Sequence, residues 1–431
     1  MGKKAVKFGG TSLASAEQMK KAAAIVHRDA ARQVVVVSAP GKRSPNDVKI
    51  TDLLYECYGA QGEEKEKLFF RITSRIDEIV RELALPLDFT DDYKKMREPS
   101  VTKDDFVSRG EYFCAKIMAA LLQYEFIDAA DCIFFHEDGT LDEEMTYAVM
   151  TELLDEHPCV VIPGFYGRRK GGGVKTFSRG GSDITGAIAA VAAGAFVYEN
   201  FTDVSGVLVA SPAIVEDPKR VDVISYRELR RLSYMGASVF HEDAVFPVCR
   251  AGIPIMILNT NHPEEGGTRI VSKKEKTGAV CGIAGKTGFV RLAIRRQHLG
   301  EDAVHFSSFM SVLAALGLSV YGVASTADDV CVILRDEEFE AARDLLFFAI
   351  RPLSPEVICV QRHLALLCVV GDTLAQEIPP LLLSALADLG ERPVFLESGA
   401  DTLGLTVAVR EEALFFAIRG IYRRLKAEGM L

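Results

Sequence analysis

Residues 34–37 are four consecutive valines, and a β-branched run without polar alternation suits a strand covered on both faces, as in parallel sheets. The segment ahead of it supplies the rest of such a unit. "KAVKF" at 4–8 reads as a short strand that breaks at Gly9-Gly10. In the "SAEQMKKAAAIVHRDA" that follows, Ser15 and Gln18 have the spacing of a capping box, and Met19, Ala22, Val26 and Ala30 make one apolar stripe. Strand, glycine turn, helix and strand form a βαβ unit, which commits the N-terminal part of the chain to a parallel sheet with helices on its faces.

The alternation continues. Residues 61–83 read as a charged amphipathic helix, another helix begins near Ser108, and apolar runs follow at 132–135, 159–165, 196–204 and 253–259. The expected fold class of this portion is α/β, a three-layer αβα sandwich with a largely parallel central sheet. Around "KTGAVCGIAGKTG" at 276–288 the texture changes to glycines and short apolar runs, and a boundary is placed there. Beyond it the order strand, helix, strand, strand, helix occurs twice, each time over roughly 65–70 residues, which predicts two ferredoxin-like α+β modules with antiparallel sheets.

The formal net charge is −10, and the chain lacks the clustered lysine and arginine with which nucleic-acid phosphates are neutralised. Only "GRRKGGGVK" at 167–175 is locally basic, a loop expected near an anionic ligand. Nine cysteines are scattered without a CxxC pair, which fits reduced thiols in a cytoplasmic protein better than a disulfide framework or a zinc site. No signal peptide is visible, and the uncharged run 184–198 is shorter than the roughly 20 residues of a bilayer span. Neither a nucleic acid nor a membrane is an expected partner.

Two glycine pairs carry the chemistry. A glycine pair at a strand end lets backbone N–H groups approach a phosphate, and a helix N-terminus behind it adds a favourable dipole. "KFGGTS" fits that description, and so does "SRGGSDITGA" at 178–187, where Ser182 and Asp183 stand at the expected N-cap of a small-residue helix. Each pair is flanked by a cation, Lys7 or Arg179, and by hydroxyls. GxxxxGK[ST] is absent and GxGxxG does not follow the first strand, so the phosphate site is of another type.

"VKFGGTS", "SRGE" at 108–111, "SRGGSDITGA", "TDVSGV" at 202–207, "YMGASVFHEDAVFP" at 234–247 and "GGTRI" at 266–270 resemble the ordered signatures of aspartate kinases, members of the amino acid kinase superfamily. The tandem units after residue 285 resemble that family's pair of ACT domains. The resemblance implies phosphorylation of the β-carboxylate of L-aspartate by MgATP, the entry to lysine, threonine and methionine. It also implies a catalytic module over 1–278, a first ACT domain over 289–358 and a second made of 279–288 with 359–431. By resemblance, Lys7 contacts the γ-phosphoryl with the Gly9 and Gly10 amides beside it, while Asp183 orients Lys7 and the magnesium-bound phosphates. No residue is assigned as a direct metal ligand, since Mg2+ is carried by ATP. Arg179 and Glu111 answer the α-carboxylate and ammonium group of aspartate, with Ser38, Thr51 and Ser182 supplying hydroxyls, and Thr202 and Asp203 serve the nucleotide.

Two departures stand out. Where the family continues into aspartate-proline-arginine, this chain has Ser211-Pro212-Ala213, and Ser238 stands where a lysine is common, so two cationic contacts to the triphosphate are missing. Arg168, Arg169, Lys170, Lys175, Lys219 and Arg220 are the candidates to replace them. His241 reads as structural, because a carboxylate acceptor is already deprotonated at neutral pH and needs no base. The resemblance further implies an amino-acid effector, lysine or threonine, bound near Phe306, Val320, Tyr321 and Ser325, and a homodimer or dimer of dimers. Tyr321 replaces the family's lysine-binding aspartate, and Asp302 is one alternative source of charge. A kinase for another small carboxylate and a weakly active sensing protein are the two rival readings.

Overall fold

The computed structural model describes residues 2–178, 180–237, 242–275, 280–371, 378–398 and 403–431, with the backbone alone for 242–245. The chain divides into two compact units. One comprises Met1–Val207, Arg220–Tyr226 and Ser238–Lys274, the other Leu208–Lys219, Arg227–Ala237 and Glu275–Leu431.

In the first unit, Lys4–Phe8 pairs in parallel with Arg32–Val37 on one side and Val197–Thr202 on the other. The full sheet runs Glu125–Phe126, Val160–Pro163, Arg32–Val37, Lys4–Phe8, Val197–Thr202, Ile255–Asn259, Gly267–Val271, Val223–Ser225. Only the Ile255–Asn259 and Gly267–Val271 pair is antiparallel. Val34–Val37 are at most 1 % exposed, as strands covered on both faces require. Met19, Ala22 and Val26 bury one helix against Val6, Phe8 and Val35, joined by the buried face of Gly62–Glu82 and by Arg109–Leu122. Glu143–Glu156, Gly181–Ala192 and Glu242–Arg250 form the opposite layer. The result is the three-layer αβα sandwich.

Local details differ from the sequence reading. Ser15 caps its helix by accepting from the Gln18 N–H, but the Gln18 side chain donates to Asn261 rather than returning to Ser15. Ala30 lies past the helix end and is exposed. The small-residue helix is capped by Gly180, at φ +61, and Ser182 and Asp183 fall in its first turn. Glycine adopts a left-handed cap readily, so the helix starts two to three residues earlier than the hydroxyl and carboxylate predicted.

The second unit contains one antiparallel sheet of six strands, in the order Val320–Ser325, Asp329–Arg335, Val280–Arg295, Val357–Gly371, Gly404–Arg410, Phe395–Glu397. Phe289–Arg295 pairs with Asp329–Arg335, and Arg291–Arg295 also pairs with Val357–Gln361. Val280–Lys286 pairs instead with Leu366–Gly371. Val290, Leu292, Ile294, Val330, Val332 and Leu334 meet Phe309, Leu313, Phe339 and Leu346 of two helices in one core. Two α+β ACT modules thus lie along a shared pair of strands.

The glycine-rich stretch expected at a boundary is therefore strand from Val280 onward, residues 276–279 lying outside the described ones. Its glycines mark close packing. A Cβ at Gly282 would meet Leu232 at 2.3 Å and one at Gly285 would meet Leu414 at 2.5 Å. Gly288, at φ +83, sits at the register shift between the two pairings.

Candidate functional site

Phe8 lies in register with Val37 and with Phe201, so three neighbouring strands end at one level. The chain leaves the first strand to one side and later returns on the other. That is a topological switch point, where ligands of open α/β sheets bind outside the carboxyl ends. Gly9, Ser38, Thr202 and Asp203 are the residues at or just beyond those ends.

Side chains alternate along a strand, so with Val6 and Phe8 in the helical core Lys7 faces the other layer. There its Nζ stands 2.5 Å from Asp183 Oδ1 and 3.5 Å from Asn200 Oδ1, and Asn200 Nδ2 donates to Asp183 Oδ1 at 2.9 Å. Lys7 is 7 % exposed and Asn200 4 %. An ammonium has three N–H donors, and these partners engage two. Burial of such a cation is tolerable only with partners in place. Asn200 escaped the sequence reading; its signal was an amide beside Glu199 within a strand of large apolar residues, in register with Lys7.

The two glycines behind Lys7 do different work. The Gly9 N–H donates to the Phe201 carbonyl at 2.9 Å, extending the sheet, so this amide is engaged and is not the phosphate donor the resemblance implied. A Cβ on Gly9 would lie 3.5 Å from the Phe201 carbonyl oxygen and 3.8 Å from Lys7 Nζ, ordinary contacts, so packing does not demand glycine there. Gly10 accepts at its carbonyl from the Gly41 N–H at 2.7 Å, and a Cβ on Gly41 would fall 2.5 Å from the Gly10 carbonyl carbon. The loops after the first two strands interlock through glycines on both sides. Gly41→Ala should force them apart, costing about 1–3 kcal/mol as overpacking does. The expected outcome is a lowered Tm and at least a tenfold loss of kcat/KM, and unchanged kinetics would remove this loop contact from the site.

Glu111 lies in the first turn of Arg109–Leu122 and is 4 % exposed. Burial pushes its carboxyl up to about 8, although the backbone N–H groups of Ala39 and of Glu111 itself oppose the rise by donating to it. Among the described residues its Oε2 has no partner. Gly110 allows this approach, since a Cβ there would stand 2.8 Å from Ala39 Cβ. A buried carboxylate with one unanswered oxygen is prepared for a cationic ligand group.

Ser38 donates its N–H to the Phe8 carbonyl at 3.1 Å, and Thr51 stands in the first turn of Ile50–Gly59. Ser182 presses on Gly164, where a Cβ would lie 2.6 Å from Ser182 Oγ. Gly164 in turn donates to the Val37 carbonyl at 2.9 Å. Thr202 Oγ1 donates to Asp203 Oδ1 at 3.1 Å, and the Thr202 carbonyl accepts from Thr260. Arg179, Ser238 and His241 lie outside the described residues.

The candidate replacement cations are largely committed elsewhere. Arg168 pairs with Asp131 at 2.8 Å and Lys175 with Asp104 at 3.8 Å. Arg220 donates to the Glu265 carbonyl and to Asp222, and Lys219 to the Leu431 carbonyl. The basic stretch is a hairpin, Tyr166–Arg169 against Val174–Thr176, with Lys170 in the turn between. Ala213 is exposed, its N–H donating to Ser211 Oγ. A cavity of about 1300 Å3 is lined by Ser178 and Ile184 together with Tyr55, Lys103 and Lys175. None of Lys7, Glu111 or Asn200 lines it, so volume alone does not locate the polar cluster.

In the second unit, Phe306 and Val320 pack on the hydrophobic core. The Tyr321 ring stacks on Tyr234 at 5.2 Å and meets Phe289 edge-on at 4.9 Å. Ser325 is exposed at its strand end. Asp302 caps Ala303–Ala315 by accepting from the Val304 and His305 N–H groups, and lies 2.5 Å from His305 Nδ1. Its carboxylate is already engaged.

A family model described as the amino acid kinase family matches residues 3–259, and the chain belongs to that family. Its similarity to one branch runs end to end. Aspartokinase 3 of Bacillus subtilis (strain 168) is 37 % identical over 98 % of this chain and 99 % of that protein. The lysine-sensitive aspartokinase 3 of Escherichia coli (strain K12) is 27 % identical over 86 % of this chain and 87 % of that protein. The solved aspartate kinase of Clostridium acetobutylicum superposes with a TM-score of 0.86 at 38 % identity, covering 98 % of this chain and 100 % of that one. The E. coli aspartokinase III in complex with aspartate and ADP shares the fold, with a TM-score of 0.77 at 23 % identity, covering 98 % of this chain and 100 % of that one.

Proposed function

We infer that this chain is an aspartate kinase, transferring the γ-phosphoryl of MgATP to the β-carboxylate of L-aspartate to give 4-phospho-L-aspartate and ADP. The observation that carries the reading is the pairing of two sites at one switch point, a buried ammonium held by Asp183 and Asn200 and a buried carboxyl one of whose oxygens has no partner among the described residues.

Phosphoryl transfer asks a protein for positioning and charge stabilisation. Lys7 supplies a cation whose direction is set by Asp183 and Asn200, leaving a donor for the phosphoryl oxygens as negative charge develops. Glu111 receives the ammonium of aspartate, Arg179 the α-carboxylate, and Ser38, Thr51 and Ser182 the remaining polar atoms. Thr202 and Asp203 attend the nucleotide, with Gly10 beside the phosphates. The acceptor is already ionised, so no general base is required. Magnesium enters as part of the nucleotide substrate. Among the described residues no group of three or more His, Cys, Asp or Glu side chains is arranged to hold a metal.

The division that fits this reading is a catalytic module over 1–278, a first ACT module over 289–358 and a second formed by 279–288 with 359–431. It draws support from the pairing of Val280–Lys286 with Leu366–Gly371. Feedback by lysine or threonine is the regulation this architecture suits, with the effector's ammonium answered by a group other than Tyr321. A homodimer or dimer of dimers accords with the exposed apolar residues Val357, Ile358 and Val360 on a strand segment that, among the described residues, pairs on one side only. No helix among the described residues is long and apolar enough to cross a membrane, and a cytoplasmic enzyme fits the reduced cysteines.

The test is hydroxylamine trapping of the acyl phosphate with MgATP and L-aspartate, against L-glutamate, N-acetylglutamate and no acceptor. Hydroxamate that depends on aspartate is the expected result. Product with another acceptor would make the chain a kinase of a different small carboxylate, and ligand binding without product would make it a sensor.

A further inference from the structure

Gly62–Glu82 buries Phe69, Ile72, Ile76, Ile79 and Val80 along one stripe, and an arginine stands within it. Arg75 is 4 % exposed at a position where helical periodicity calls for an apolar side chain. Burial lowers the pKa of its guanidinium, with the Asp47 carboxylate opposing the fall. A cation kept in the core against that cost must be answered by fixed partners.

The partners are backbone carbonyls from two separate loops. Nη1 donates to the Val48 carbonyl at 2.7 Å, while Nη2 donates to the Gly41 carbonyl and, at 3.4 Å, to the Ala14 carbonyl. Asp47 Oδ2 lies 3.4 Å from Nη1. Asp47 is itself anchored: burial would raise its pKa, but hydrogen bonds from the Arg43 side chain and from the Arg43 and Val48 N–H groups, with the Arg75 charge, hold it well below the carboxylate range. Ala14 follows the glycine turn after the first strand. Gly41, Asp47 and Val48 belong to the loop between the second strand and Ile50–Gly59.

That loop begins at Ser38, continues through the Ala39 N–H that donates to Glu111, and leads into Thr51. Its only other described tie to the glycine turn in these hydrogen bonds is the Gly41 N–H to Gly10 carbonyl contact. The planar fork of an arginine reaches several carbonyls at fixed angles, which a lysine cannot reproduce.

We propose that Arg75 is a positioning residue of the transfer reaction, fixing the acceptor loop 38–49 against the phosphate turn so that Ser38, the Ala39 amide and Thr51 meet the substrate in register. The proposal rests on the aspartate kinase reading. It separates Arg75 from an ordinary core residue by predicting which kinetic constant moves. Loosening the acceptor loop raises the KM for aspartate and misaligns the acceptor, whereas the described hydrogen bonds of Arg75 go to Ala14, Gly41 and Val48 and not to Thr202 or Asp203 at the end of Val197–Thr202.

The experiment compares wild type, Arg75→Lys, Arg75→Met and Asp47→Asn in the full chain, each checked by circular dichroism and assayed well below its Tm. Arg75→Lys and Arg75→Met should raise the aspartate KM and lower kcat by tenfold or more each, with the ATP KM moving less than threefold. Asp47→Asn, at the partly exposed end of the network, should shift the aspartate KM in the same direction by two- to fivefold and serves if the Arg75 variants do not fold. Equal changes in both KM values, or loss of Tm with intact kinetics, would overturn the proposal and leave Arg75 a structural staple. An unchanged aspartate KM in Asp47→Asn would do the same. Failure of the wild type to make hydroxamate from aspartate would instead remove the underlying reading.

Discussion

Lys7→Ala is expected to abolish most turnover while the protein remains folded. Removing one donor aimed at developing charge lowers kcat by about 10²–10³-fold. Among the described residues Lys7 is the one cation that Asp183 and Asn200 jointly orient, so the upper part of that range applies. The fold should survive because Asp183 still accepts from Asn200 Nδ2 and its side chain is 21 % exposed, so water can answer the lost ion pair. A stability loss of about 1–3 kcal/mol is the appropriate scale for one charge-assisted partner. Hydroxamate formation and a thermal unfolding curve on the same preparation check both halves. Retained turnover with a normal Tm would show that the ammonium is structural and that the γ-phosphoryl is met elsewhere.

The second large effect belongs to Glu111. With its carboxyl raised to about 8 by burial, the unliganded protein holds a proton there at pH 7. An ammonium ligand requires the ionised form, so aspartate binding must expel that proton. The aspartate KM should therefore fall by about tenfold for each pH unit on approaching pH 8 from below, and level off above it. Glu111→Gln should raise the aspartate KM at least a hundredfold and flatten this dependence, while the ATP KM stays near its original value. The sign for stability follows from the same shift. Between the ordinary carboxylate value and about pH 8 the folded state binds more protons than the unfolded state, so this group's contribution declines as pH rises through that window. The amide has nothing to lose there. The difference in Tm between Glu111→Gln and wild type should move in the variant's favour from pH 6 to pH 9, and a constant difference would mean that Glu111 is ionised throughout.

Much of the architecture was readable before any coordinates, for reasons that lie in periodicity. Val34–Val37 could only be a strand buried on both faces, and it is. The strand–helix order of the last third specified antiparallel modules without any knowledge of pairing. Lys7 was legible as a cation inside an otherwise apolar strand, whereas Asp183 and Glu111 are ordinary carboxylates for a helix start and took their roles from the resemblance. Other features acquire meaning only from contacts distant in sequence. Asn200 matters because it lies in register beside Lys7, Gly41 because another loop's carbonyl passes within van der Waals distance, and Arg75 because two loops converge on it. The run at 276–288 lies just past Glu275, where the last segment of the second unit begins, and the use of Gly282 and Gly285 to make room for leucines across a continuous strand is visible only in tertiary contacts. Gly180 took the cap from Ser182 because the chain enters that helix through a left-handed residue.

Two strands, Val280–Arg295 and Val357–Gly371, run the length of the six-stranded sheet, and each contributes to both of its halves. The halves are spliced like overlapping planks. The half built on Val280–Lys286 and Leu366–Gly371 is interrupted in sequence by the other, so it cannot be excised or exchanged by one cut. The same two backbones that pair at Ala293 and Cys359 also pair at Ile283 and Val369, so the tandem modules have their sheet scaffold in common.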